Sequence, residues 1–503
     1  MKKRIYLLVL VLALLFTSAG LQEVDASART TSWIVSVTYQ NVGTAAADIS
    51  VNFYQEGSST PITYTPAQLQ AGAAASFYMG NISDIAAGFQ GNAVMASSQP
   101  LVATVVQFHQ NAPGETIKMR MLSNGFTTAD GASQYLIATV LGNTFSRTTV
   151  FSVQNLESET ITATLKFYNV NDGSLASTKT YDILANSSKY IEMDLTADTG
   201  LPSSTFNGSV IVTAAKKTGG APANIIAVAS EFYTYRDVGA NFGGNSLTCA
   251  VDVLYMPTAL CQKFGLDTYY AVQNASLTSP ATFTVSYYNA DGTAKTTDGP
   301  YTIGAGQKKS ITTCTPSSAM NMVGFTGSAV ITAPDPTSTL VANGKAQAMT
   351  PPSAAQLDVF TIFNGAPTGS SKIALPFVRW ADDARFNSPT NYGGLQRTYL
   401  AIQNLESTSA KVNVRYYDKN GGLVATQTLT IAAFAKGNSD ANAAGALGQN
   451  GMNPGEFGYY TDGSFGGGVI IEAHPDNPTA KFIAIARVQH PGAGEDYNGM
   501  PID

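Results

Sequence analysis

The chain reads as an all-β protein of four tandem antiparallel β-sandwiches, about seven strands each, behind a short leader. Three observations carry that reading. A set of landmarks recurs four times in one order, and apolar residues alternate with period two around each landmark. Charged residues make up only 12% of the chain, while Ala, Ser, Thr, Asn, Gly and Val dominate, as suits short half-buried strands joined by tight turns.

The first landmark is Gln-Asn at the end of an apolar-alternating run: Gln40-Asn41, Gln154-Asn155, Gln273-Asn274 and Gln403-Asn404, separated by 114, 119 and 130 residues. Thirteen or fourteen residues after each Gln stands an aromatic pair: Phe53-Tyr54, Phe167-Tyr168, Tyr287-Tyr288 and Tyr416-Tyr417. Phe-x-Gly then leads into a further apolar strand, at Phe89 to Gly91, Phe206 to Gly208, Phe325 to Gly327 and Phe465 to Gly467. These landmarks divide the chain into a leader at 1-28 and four copies at 29-125, 126-244, 245-365 and 366-503.

Within the second copy, Ile161, Ala163, Leu165 and Phe167 share one strand face and Thr162, Thr164, Lys166 and Tyr168 the other, the signature of a strand with one side in a core. Asn171-Asp172-Gly173, Ala290-Asp291-Gly292 and Asn420-Gly421-Gly422 close hairpins after this strand, since each supplies residues that tolerate tight-turn angles. Seven strands, A to G, in two packed sheets bury the apolar faces. Copies two to four begin with a strand A, at Tyr135 to Leu141, Val253 to Leu260 and Ile373 to Val378. The first copy has only Arg29 to Tyr39 before its Gln-Asn, and strand B consumes nearly all of it. Its sandwich is therefore expected to lack an edge strand and to offer an edge on which another chain can add.

The leader has a basic head (Lys2, Lys3, Arg4), an apolar stretch from Ile5 to Phe16 and a small-residue cut site, Ala26-Ser27-Ala28, the anatomy of a secretion signal. Its apolar stretch is short for a bilayer span, so the mature protein is expected to be extracellular, at the cell surface, and not inserted in a membrane. No Cys follows the apolar stretch to take a lipid, and no hydrophobic tail closes the sequence. The formal charge of −6 becomes about −7 without the leader, which disfavours nucleic acid as a partner. Cys249, Cys261 and Cys314 allow at most one intrachain disulfide, whose pairing spacing does not decide.

The run Ile34-Val35-Ser36-Val37-Thr38-Tyr39-Gln40-Asn41-Val42-Gly43, followed by Asp48-Ile49-Ser50-Val51-Asn52-Phe53-Tyr54, resembles the tandem Ig-like, fibronectin-III-like or CARDB-type repeats of bacterial secreted and surface proteins. The resemblance covers essentially the whole mature chain. It implies an Ig-like sandwich and a role as spacer, adhesive stalk or surface-layer building block.

No catalytic, cofactor-binding or metal-binding constellation emerges. HExxH, GxSxG, Walker and GxGxxG motifs are missing, and His109, His474 and His490 lie far apart, which disfavours an enzyme. The recurrent Asn needs no ligand, because a strand-end Asn bonds the following turn. Two features remain as candidate contact surfaces. Tyr54, Tyr168, Tyr288 and Tyr417 fall on the outer face of one strand in every copy, where aromatic rings pack across strands, self-associate or stack on sugars. The fourth copy carries two insertions, one through Trp380, Asp382, Asp383 and Arg385 and one over roughly 437 to 464, expected to cluster as loops at one end of the sandwich. The expected function is a non-enzymatic structural or adhesive surface protein (S-layer, filament or stalk subunit). Self-association, other surface proteins or glycans are the expected partners, and the alternative is a carbohydrate-binding module array.

Overall fold

Period-two alternation becomes strand throughout the computed structural model, which describes residues 33–110, 117, 119–234, 238–348, 359–391, 394–491 and 493–502. The leader lies outside the described residues. The protein is all-β, and its described strands form eight antiparallel sheets of three to five strands.

A first block of chain holds β1 (Ile34–Asn41), β2 (Ile49–Gln55), β3 (Pro61–Tyr64), β4 (Ala74–Tyr78), β5 (Gly91–Ser97), β6 (Leu101–His109) and β7 (Met119–Asn124). They form sheets β4-β1-β6-β7 and β3-β2-β5. A second block holds β8 (Gln134–Gly142), β9 (Arg147–Asn155), β10 (Ile161–Asn169), β11 (Leu175–Ile183), β12 (Ser188–Glu192), the short helix α1 (Thr196–Thr199), β13 (Phe206–Lys216), β14 (Ile225–Tyr233), β15 (Gly239–Gly243) and β16 (Asn245–Ser246). Its sheets are β11-β10-β13-β8-β16 and β12-β9-β14-β15.

The third block holds β17 (Val253–Leu260), β18 (Leu266–Asn274), β19 (Ala281–Tyr288), β20 (Ala294–Ile303), β21 (Lys308–Thr312), β22 (Thr326–Thr332), β23 (Leu340–Ala348) and β24 (Phe360–Asn364), in sheets β17-β22-β19-β20 and β21-β18-β23-β24. The fourth holds β25 (Lys372–Leu375), α2 (Asp383–Phe386), β26 (Arg397–Asn404), β27 (Ala410–Asp418), β28 (Leu423–Ile431), β29 (Lys436–Asp440), β30 (Gly467–Ala473), β31 (Phe482–His490), β32 (Ala493–Asn498) and β33 (Met500–Pro501). Its sheets are β28-β27-β30-β25-β33 and β29-β26-β31-β32.

Each block buries one apolar cluster between its two sheets. In the second, Ile161, Ala163, Leu165 and Phe167 of β10 are all fully buried and face Phe151 and Val153 of β9. The landmarks acquire physical reasons. The strand-end asparagines are fully buried, and each clamps a turn. The Asn155 amide donates to the Glu159 (2.8 Å) and Ile183 (3.1 Å) carbonyls while its Oδ1 accepts from Glu157 N–H (2.8 Å). Asn41, Asn274 and Asn404 repeat the pattern. The Phe-x-Gly glycines lie against the aromatic pair: a Cβ at Gly91, Gly208 or Gly327 would stand 2.0 Å from the carbonyl oxygen of Tyr54, Tyr168 or Tyr288. A side chain there would part the strands.

The structure adds two features that the sequence reading left open. The segments ending in Phe242-Gly243, Phe363-Asn364 and Tyr497-Asn498 form strands β15, β24 and β32, each paired to the preceding strand of its block. They gather with β7 into a central column in which β7 touches β15 and β32, and β24 touches β15 and β32. The blocks within the compact unit Ser32–Asp503 therefore close into a ring about that column. Cys261 and Cys314 form the disulfide, joining the end of β17 to the segment after β21, and Cys249 stays free and half-buried.

Candidate functional site

The polar side chains that recur in the sequence converge on the seams between blocks. At the second-to-third seam, Leu136 and Ala138 of β8 and Ile211 of β13 pack against Ala271 of β18 and Val341 of β23. The Gln273 amide donates across it to the Val210 carbonyl (3.3 Å), and Lys308 Nζ donates to Thr139 Oγ1 (3.0 Å). Beside them the buried Glu231 is gripped by Lys345 and by Arg147 (3.2 Å). Burial would raise the Glu231 carboxyl, but the two cations outweigh it and hold it low. At the third-to-fourth seam, Gln403 donates to the Ala329 carbonyl (3.3 Å), Lys436 Nζ to Thr326 Oγ1 (3.1 Å) and Ser328 Oγ to the Phe434 carbonyl (2.6 Å). Burial drives both seam lysines, Lys308 and Lys436, down to about 7. At the fourth-to-first seam, Val106 and Leu122 join the fourth block's core, and the fully buried Gln40 lies against Gly468 of β30.

Along the column, the last residue of each strand hooks its neighbour. The Asn124 amide donates to the Asn498 carbonyl (2.7 Å), Asn498 to the Asn364 carbonyl (2.9 Å) and Asn364 to the Gly243 carbonyl (2.9 Å). The second block has Gly243 where its three counterparts have Asn, so the series stops at the first-to-second seam.

That seam is built differently. Gln154, the second block's landmark glutamine, is only half-buried, and among the described residues it makes no hydrogen bond across the seam. Contact comes from the column side, where the buried Asn241 amide donates to Gln107 Oε1 (2.7 Å), and from the other end, through Lys189–Glu56 (2.9 Å), Tyr190 OH donating to the Gly91 carbonyl (2.6 Å) and the Asn92 amide donating to the Asn186 carbonyl (2.9 Å). Among the described residues β5 pairs with β2 alone, whereas its counterparts β13, β22 and β30 are also covered by β8, β17 and β25. The effect reaches the core. Leu101, Ala103 and Val105 of β6 are half-buried, while Ile225, Ala227 and Ala229, at the same register on β14, are 0% exposed. Val94 on β5 is 38% exposed.

The residues singled out from sequence divide between seams and loops. The tyrosines face outward from their own sheets, and those faces are largely seams. Tyr54 and Tyr168 are buried, Tyr168 lies over Gly306 of the third block, and the Tyr288 ring sits 5.3 Å from Phe434 of the fourth. Tyr417 is half-buried. Trp380 is not at the surface. It belongs to the fourth block's core, exchanges backbone hydrogen bonds with Phe457 at 2.9 Å, and lies under the Arg397 guanidinium. The two insertions thus pack on each other. Asp382 caps α2 by accepting from Arg385 N–H (2.9 Å), Asp383 pairs with Arg397 and Arg385 with the buried Glu456. Burial raises the Glu456 carboxyl against the pull of Asn453 and Arg385.

Between these loops and the first block lies an open recess of about 600 Å³, lined by Phe108, Arg120, Arg385, Ser388, Thr390 and Asn391 among others. Arg120 is 7% exposed, sits 3.8 Å from Glu495, and among the described residues has no hydrogen-bond partner for Nε or Nη1. Sequence reasoning assigned no role to the seam glutamines or to Arg120. The glutamines carried a signal: an amide recurring at one position of an apolar strand has to be satisfied by something outside that strand. Arg120 carried none. No family model matches the chain, and no curated protein matches it in sequence.

Proposed function

We propose that this is an exported, non-enzymatic structural or adhesive protein of the bacterial cell surface, built from four copies of an Ig-like sandwich of about seven core strands. The first copy is short of strand A, and the protein assembles through sandwich contacts. The observation that carries this reading is the use made of the buried polar groups. Gln273, Gln403, Lys308, Lys436 and the axial asparagines bind one block to the next, so the buried polar groups serve cohesion between blocks, as a structural role requires. The closed ring favours a building block of an S-layer or filament over an extended stalk. Fractionation of the producing cells with electron microscopy of the concentrated mature protein tests it. Ordered polymers and a cell-surface fraction support the reading, and a protein that stays in the cytoplasm or never assembles overturns it.

A carbohydrate-binding role is the second reading. With the tyrosines largely in seams, it rests on the recess beside Arg120 and Arg385, and selective binding on a glycan array would favour it.

A further inference from the structure

We infer that the exposed edge of β5 is an acceptor for a strand supplied by another polypeptide chain, an extended segment with apolar residues at alternate positions; this deepens the assembly reading above and rests on it. The three complete blocks define the occupant's shape. There the covering strand runs antiparallel to β13, β22 or β30 and points Tyr135 and Ile137, Leu254 and Met256, or Ile373 and Leu375 into the core, all no more than 2% exposed. In the first block nothing described fills that place, and Leu101, Ala103, Val105 and Met95 are left half-buried. The register of β5 leaves its open side ready. Glu56 N–H donates to the Gln90 carbonyl and Ser98 N–H to the Asp48 carbonyl. By antiparallel alternation the even-numbered residues bond β2, and Ala93, Met95 and Ser97 present their backbone groups outward, while the outward carbonyl of Gly91 is taken by Tyr190 OH of the second block.

A chain cut after Ala28 would not fill the place itself. β8 and β17 begin 21 residues before the landmark Asn155 and Asn274; the same offset from Asn41 falls on Gly20. The equivalent stretch is Gly20 to Ala28, which a cut after Ala28 removes. Arg29 to Ser32 would reach only about 13 Å at ~3.3 Å per residue, too little to leave β1, turn and run beside β5. Every described strand is already committed to a sheet. The occupant therefore belongs to a different chain, and strand addition on such an edge combines main-chain hydrogen bonds with pockets for alternate side chains.

The test uses the exported mature protein and a synthetic peptide with the sequence of residues 133–142 as probe. Mass spectrometry should place the N-terminus at Arg29. The peptide should bind saturably by fluorescence anisotropy and slow exchange of the Ala93, Met95 and Ser97 amides at least tenfold. Ala93→Pro, which removes an outward N–H, should abolish binding. Val94→Lys, a charged edge that leaves the backbone intact, should weaken it at least tenfold if the proline variant does not fold. An N-terminus at or before Gly20 with those amides already protected in the monomer overturns the proposal, as does a peptide that fails to bind. If the protein polymerises while the peptide neither binds nor competes, strand acceptance fails and the assembly reading stands. If the peptide binds to a protein that never assembles, the reverse holds.

Discussion

The second-to-third seam buries a glutamine, a lysine and an apolar patch, whereas the first-to-second seam has a half-buried Gln154, one hydrogen bond from the buried Asn241 to Gln107, a Trp33–Phe232 ring contact and polar contacts around the half-exposed Lys189. The difference follows one element: among the described residues the first block has no strand beside β5. Strand β8 both covers β13 and supplies Leu136 and Ala138 to the seam; without an equivalent, the first block loses a core face and a docking face together. A single edge strand thus governs stability within a block and adhesion between blocks.

Four perturbations break or sharpen this contrast. The largest effect is expected from the seam lysines. Lys308 and Lys436 are held near 7 in the fold against about 10.4 when unfolded. Between those values the unfolded chain binds more protons, so the two lysines' contribution to stability should be lowest and flat below pH 7 and rise toward pH 10.4, by up to on the order of 4 kcal/mol per lysine. Thermal melts across that range should show the slope, and Lys308→Met with Lys436→Met should flatten it. Next, removing the Cys261–Cys314 bond, whose partners are 53 residues apart, should cost about 4 kcal/mol. In Cys261→Ser with Cys314→Ser, hydrogen exchange should show the third block as labile as the first.

A smaller effect separates the glutamines. Gln273→Ala or Gln403→Ala removes a hydrogen bond across the seam and empties a fully buried site, and should cost about 1–3 kcal/mol, whereas Gln154→Ala should be close to neutral in the same denaturant titration. The smallest belongs to Lys189–Glu56, about a quarter exposed on both sides. Lys189→Ala should cost at most about 1 kcal/mol, and less in high salt.

Much of the fold could be read from the sequence because strand faces and turns are local. The alternation at Ile161 to Phe167 and the glycines at 173, 292 and 421, all at positive φ, announce strand and hairpin without reference to distant chain. The open edge of β5 was also foreshadowed by spacing: only Arg29 to Tyr39 stand between the leader and the first Gln-Asn, and among the described residues β5 pairs with β2 alone. What was not legible depends on which faces meet. Tyr168 and Tyr288 look like surface aromatics within their own strands, and only ring closure puts Gly306 and Phe434 over them. Trp380 looked like a loop residue because its partner Phe457 lies 77 residues away in the other insertion. Arg120 becomes notable only when the fourth block's loops stand beside it.

Ring closure also changes what an end is. In a linear array the terminal repeats fray first, because each lacks one neighbour. Here the fourth block docks on the first, so the two ends of the chain shield each other, and fraying should begin between the first and second blocks, which are consecutive in sequence. Limited proteolysis would then cut first near the connection from β7 to β8, and the three remaining blocks would be released as one fragment.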